Sequence, residues 1–193
     1  MSNYSTSEDD LTKKENLQEK HYWLLRELQS MCREIPLMYQ QRLPNELLSS
    51  LANSLLDNNV FEIVKGLTDI QAITERSLME KRMNVVNTQK EASDDMLKRH
   101  KDSLSFETDP AYIKLLKEKQ ARELSELIKW QEEELNRLDM KIILELDQAV
   151  NDQQVTLEKI GVPGFFVSSK DTDVRLQMYI LNFIRAIRDR VEH

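Results

Sequence analysis

A chain of 193 residues with 40% apolar and only 6% aromatic side chains holds 3 glycines and 4 prolines, where average usage gives roughly 14 and 10, so tight turns are scarce and long helices are expected. A formal net charge of -7 and a pI near 5.1 repel a phosphate backbone, which argues against nucleic acid as a partner unless a local basic patch such as LKRHK at 97–101 serves, and that run reads better as a solvated helix face. The single cysteine, Cys32, excludes an intrachain disulfide and agrees with a reducing compartment, while the polar, acidic start and the lack of a long uncharged run argue against a secretory signal or a membrane span.

Residues 1–7 read as a disordered start. Ser7 then suits a helix cap, with Glu8, Asp9 and Asp10 in the first turn, where the helix dipole favours negative charge. This first helix should run to about Glu34 and present Leu17, His21, Leu24, Leu28, Met31 and Ile35 on one face before Pro36 ends it. Pro44 fits the first turn of a following helix that carries Leu47, Leu48, Leu51 and Leu55 on one side, and Asp57, Asn58 and Asn59 read as a turn. Residues 8–58 thus form a set of N-terminal helices.

From 59 to 160 the pattern is that of a long helical hairpin with a break near 106–110. Its first arm places Val60, Ile63, Val64, Leu67, Ile70 and Ile73 on one side, and Gly66 inside it costs only about 1 kcal/mol relative to alanine. The second arm runs from Pro110 to about Ile160, with Leu124, Ile128, Gln131, Leu135, Leu138 and Ile142 in heptad spacing and Leu146 and Val150 continuing the stripe. Arms of similar length, each about 70 Å at a rise of about 1.5 Å per residue, are expected to close on each other within the chain, a homodimer being the alternative. Between 80 and 106 the facing positions are rich in Asn, Thr, Gln, Lys and Asp, which predicts a loosely zipped tip open to a partner helix.

Residues 161–170 (GVPGFFVSSK) then reverse the chain. Gly161 suits a left-handed helix cap, Pro163 forbids continuation, and with Gly164 they form a hinge followed by an extended segment. Alternation in that segment predicts Phe165 and Val167 on one side, Phe166 and Ser168 on the other, with Phe165 in the core and Phe166 a candidate partner contact at the surface. Residues 171–193 form an amphipathic C-terminal helix. Leu176, Ile180, Phe183, Ile184, Ile187 and Val191 share its apolar face, opposed by Arg185 and Arg188, and packing on a core is expected in preference to a membrane surface. The fold class expected is all-α: an elongated antiparallel coiled-coil hairpin with N-terminal helices and a C-terminal amphipathic helix packed at its base.

No catalytic constellation stands out. His21, His100 and His193 lie in no metal-binding pattern, and Cys32 is eleven residues from His21, about 16 Å along a helix, too far for a thiolate pair. No catalytic residue, metal or cofactor is therefore expected, and the chain is not expected to be an enzyme. The long blocks HYWLLRELQSMCREIPLMYQQRL, LLSSLANSLLDNNVFEIVKGLTDIQAITERSL and KIILELDQAVNDQQVTLEKIGVPGFFVSS resemble the gonadal protein family, which includes the DiGeorge syndrome critical region protein six. The resemblance spans about Lys20 to Ile187 and is weakest from about Asn84 to Glu107. It implies a small intracellular coiled-coil protein of the nucleus or cytoplasm, linked to gonadal expression in one branch and to neural crest migration in the other, and brings no catalytic residues. The expected function is a non-enzymatic adaptor binding an unidentified protein partner. The alternative is a nuclear, nucleic-acid-associated helical regulator.

Overall fold

The computed structural model of the chain describes residues 5–191, with side chains from residue 12 onward. Among the described residues six helices and no strand are present: α1 (Ser5–Cys32), α2 (Leu37–Gln40), α3 (Asn45–Ser54), α4 (Asn59–Ser105), α5 (Pro110–Lys159) and α6 (Asp171–Val191). The protein is all-α. The chain divides into two compact units, one of residues 1–71 with 149–193, the other of residues 72–148. The expected disordered start falls partly on residues 1–4, outside the described residues, and α1 already begins at Ser5; the side chain of Ser7, read as a cap, is likewise outside them.

The first unit owns the apolar core. Leu24 and Leu28 of α1, Leu51 of α3 and Leu55 just after it, Leu157 of α5 and Ile180, Ile184 and Ile187 of α6 are all essentially sealed from solvent. Full burial of each such side chain contributes about 1.5–3 kcal/mol, which is why these helices order together. Polar contacts close the edges. Lys20 Nζ donates to the Leu56 carbonyl (2.7 Å) and to Asn58 Oδ1 (3.1 Å), satisfying acceptors where α3 ends, and Asn58 turns the chain with φ 64°. The Tyr39 and Tyr179 rings meet with centroids 5.2 Å apart, and Arg42 pairs with Asp173 at 2.7 Å. Leu17, expected on the buried face of α1, is exposed, because the ten-residue α3, about 15 Å long, does not reach along all of the 28-residue α1. Val191, at the end of α6, is exposed in the same way.

In the second unit α4 and α5 run antiparallel, linked by a short turn. Glu107 Oε1 accepts the N–H groups of Thr108 (2.9 Å) and Asp109 (3.0 Å), which hold its carboxyl below the usual range, and Asp109 Oδ1 accepts the Ala111 N–H (3.1 Å) at the start of α5. Pro110 takes the first helical position, where its missing N–H costs nothing.

The inward positions of this unit correct the expected heptad. On α5 they are Ile113, Leu116, Gln120, Leu124, Leu127, Gln131, Leu135, Leu138, Ile142 and Leu146; on α4 they are Thr74, Leu78, Arg82, Val85, Gln89, Ser93, Met96, His100 and Leu104. Both sets step by three, four and four, an 11-residue repeat of about 3.67 residues per turn. Ile128, placed in the heptad, is 45% exposed, and Leu127 faces inward instead. On the preceding stretch of α4, Ile70 and Ile73 are exposed as well, so the buried stripe expected there ends earlier. Gly66 has nothing within 4 Å of where a Cβ would stand and marks no close helix contact.

Candidate interaction surfaces

The turn after α5 is built from its backbone outward. Gly161 has φ 77°; its N–H reaches the Glu158 carbonyl (2.9 Å), and the Val162 N–H reaches the Leu157 carbonyl (3.0 Å). This is the paired Schellman closure, and the apolar contact that accompanies it is supplied by Leu157 and Val162, both buried. Gly164 also has positive φ, 88°, and a Cβ there would stand 2.6 Å from Ile180 Cδ1, so α6 packs against bare backbone. Pro163 lies between the two glycines.

Two buried glutamines then fix the extended segment. Gln154 bonds Ser168 twice, accepting its N–H (3.1 Å) and donating to its carbonyl (3.0 Å), and Gln177 donates to the Phe166 carbonyl (2.8 Å). The Ser168 hydroxyl donates to Asp173 Oδ2 (2.8 Å), and this bond, with Arg42 beside it, holds the Asp173 carboxyl below its ordinary range. Phe165 is 6% exposed and belongs to the core with Leu176, Ile180, Ile184 and Ile187, whereas Phe166 is 40% exposed. The expected alternation fails beyond that pair. Val167 is 52% exposed, and Ser168, expected outside, is drawn inward by Gln154 and Asp173. Neither glutamine gave a signal in the sequence, since a glutamine on a helix face is ordinarily solvated.

The second unit joins its helices through polar side chains. Arg82 forks onto both oxygens of Asp139 (2.8 and 3.1 Å), which raises the guanidinium and lowers the carboxyl through that hydrogen bond. Gln89 and Gln131 exchange bonds, each donating through Nε2 to the other's backbone carbonyl (3.0 and 2.8 Å). Of the Asn, Thr, Gln, Lys and Asp expected to make this seam zip loosely, Gln89 faces inward and is specifically bonded, whereas Asn84, Asn87, Thr88, Lys90, Asp94 and Asp95 are exposed. Helical geometry puts the exposed Met79, Met83 and Ile143 on the same side as the Arg82–Asp139 pair.

Reactive side chains stay apart. His21 Nε2 is 3.4 Å from Ser49 Oγ, and its Nδ1 is buried without a partner. Cys32 is buried, which pushes its thiol up and away from the reactive thiolate, and His100 faces Glu123 at 2.9 Å. His193 lies outside the described residues. Among the described residues no group of three His, Cys, Asp or Glu side chains is placed to hold a metal ion, and no helix is long and apolar enough to cross a membrane.

Residues 2–193 match the family described as DiGeorge syndrome critical region 6 (DGCR6) protein. The chain is similar to Protein DGCR6 of Gallus gallus, 41% identical over 173 residues that cover 90% of this chain and 86% of the relative. It is also similar to Gonadal protein gdl of Drosophila melanogaster, 38% identical over 170 residues that cover 88% of this chain and 80% of the relative. No solved structure matches the chain significantly.

Proposed function

The chain belongs to the DiGeorge syndrome critical region 6 protein family, and from that premise we propose that it is a non-enzymatic helical adaptor, working inside the cell by binding other proteins. The name of the Drosophila relative favours a gonadal, developmental setting. What supports the non-enzymatic half is the use of His21 and His100 in helix-to-helix contacts with Ser49 and Glu123. The observation that carries the adaptor reading is the outer face of the second unit. Two helices can cover only the side they share, and Met79, Met83 and Ile143 stand exposed together on one flank. Flexible methionines suit a surface that repacks against a partner helix.

The test is capture from gonadal tissue with the intact chain and with a Met79→Gln, Met83→Gln, Ile143→Gln triple variant, identified by mass spectrometry. The expected result is loss of specific partners from the variant, whose helicity and melting stay unchanged. Recovery of the same partners by both chains would sink the reading.

A further inference from the structure

The face of α5 turned away from α4 carries an apolar pattern of its own. Tyr112, Leu115, Trp130, Met140 and Leu144 are each at least 50% exposed. With Lys119, Arg122, Glu126, Glu133 and Arg137 between them, they step by three and four residues along the helix. That spacing keeps them on one stripe, about 50 Å long at a rise of about 1.5 Å per residue, the form in which a helix offers itself to a second helix. It is not the face that meets α4, which bonds through Gln131 and Asp139, and Met79, Met83 and Ile143 stand on the other flank.

We propose that this stripe pairs α5 with α5 of a second copy, antiparallel, in a homodimer whose twofold axis crosses the helix at the level of residue 128. Turned end over end, the stripe complements itself. Tyr112 comes opposite Leu144 of the second copy, Leu115 opposite Met140, and Arg122 opposite Glu133. Glu126 comes opposite Trp130, so the two tryptophans lie about 6 Å apart along the helix axis, at the centre, where an interface concentrates its binding energy. A parallel pairing would set Arg122 against Arg122 and Glu133 against Glu133, so the charge order selects the antiparallel copy. One like-charge approach remains, Lys119 to the second copy's Arg137, and each has a carboxylate beside it: Glu123 Oε1 is 3.7 Å from Lys119 Nζ, and Glu133 precedes Arg137 by one turn. In helix pairing about four of every seven residues face the partner, roughly 19 over this length, at the edge of the 20–30 a side that a standard interface uses. Exposed ion pairs add little affinity, so the apolar contacts hold the dimer, the charges orient it, and micromolar association is expected.

Sedimentation equilibrium of the full chain from about 1 to about 200 µM tests the pairing. The average mass should rise from 22.8 kDa toward twice that value. Trp130→Asp should raise Kd at least about ten-fold, and Arg122→Glu or Glu133→Arg alone about three-fold or more. These side chains are exposed, so helicity at the lowest concentration should stay unchanged in all three variants. Mixing Arg122→Glu with Glu133→Arg restores an opposite charge at both mirrored positions of an antiparallel dimer, and the mixture should regain the natural Kd. A mass of 22.8 kDa at every concentration would overturn the dimer and leave the stripe to a different protein or to the chain's own first unit. Association untouched by Trp130→Asp, or unrecovered on mixing, would overturn this interface. The measurement uses the chain alone and a face other than that of Met79, Met83 and Ile143, so it stands apart from the adaptor reading.

Discussion

Phe165 and Phe166 are neighbours of the same type with opposite surroundings, which makes them a controlled pair. Phe165→Ala removes a ring from a core closed by Leu176 and Ile180 and should cost about 3–5 kcal/mol, whereas Phe166→Ala, acting on a partly solvated ring, should cost less than about 1. Denaturant titration of the two variants decides, and equal losses would mean the two rings share one environment. The glycines give a second contrast. Gly66→Ala, in an open helical site, should stabilise by about 1 kcal/mol and raise the melting temperature by about 2–4 °C. Gly164→Ala must adopt a left-handed backbone and displace Ile180, so it should destabilise by about 2 kcal/mol or more. A neutral Gly164→Ala would show that α6 does not pack on that backbone.

At the scale of the element, the 11-residue seam of α5 is decided by Leu127 and Ile128. Leu127→Ala should lower stability by about 1–3 kcal/mol and Ile128→Ala by no more than about 0.5, since only the first faces α4. The reverse order would restore the heptad. The two periods were hard to separate in the sequence because Leu124, Gln131, Leu135, Leu138 and Ile142 satisfy both, leaving one position to choose between two adjacent apolar residues. Helix ends were far more legible. Pro36, Pro44, Pro110 and Gly161 carry backbone constraints that act locally, so each marked a boundary without knowledge of the fold. Ile70 and Ile73 lie on an apolar face yet are exposed, because such a face states what can be covered and only the neighbouring elements settle what is. Gln154, Gln177 and Gln120 give no sequence signal for the converse reason: each bonds a backbone carbonyl of a neighbouring segment, and helix periodicity does not report contacts between segments.

Across the whole molecule the two units are stabilised by different physics. The first rests on a contiguous core in which α1, α3 and α6 share sealed leucines and isoleucines; the second rests on half-covered apolar positions interleaved with hydrogen-bonded polar ones. Apolar burial yields cooperative stability, while a net intramolecular hydrogen bond contributes only about 0.5–1.5 kcal/mol, so the seam should open locally at lower energy than the core. The expectation is that amides of α1 from Leu24 to Met31 and of α6 from Ile180 to Ile187 exchange only through global unfolding. Those of residues 84–132 should exchange through smaller openings at least about ten-fold more often, a gap of about 1.4 kcal/mol. Native-state exchange with increasing denaturant separates the two, because global openings depend steeply on denaturant and local ones hardly at all. If both regions followed one steep dependence, the seam would be as cooperative as the core, and its polar layers would have to contribute far more than ordinary hydrogen bonds.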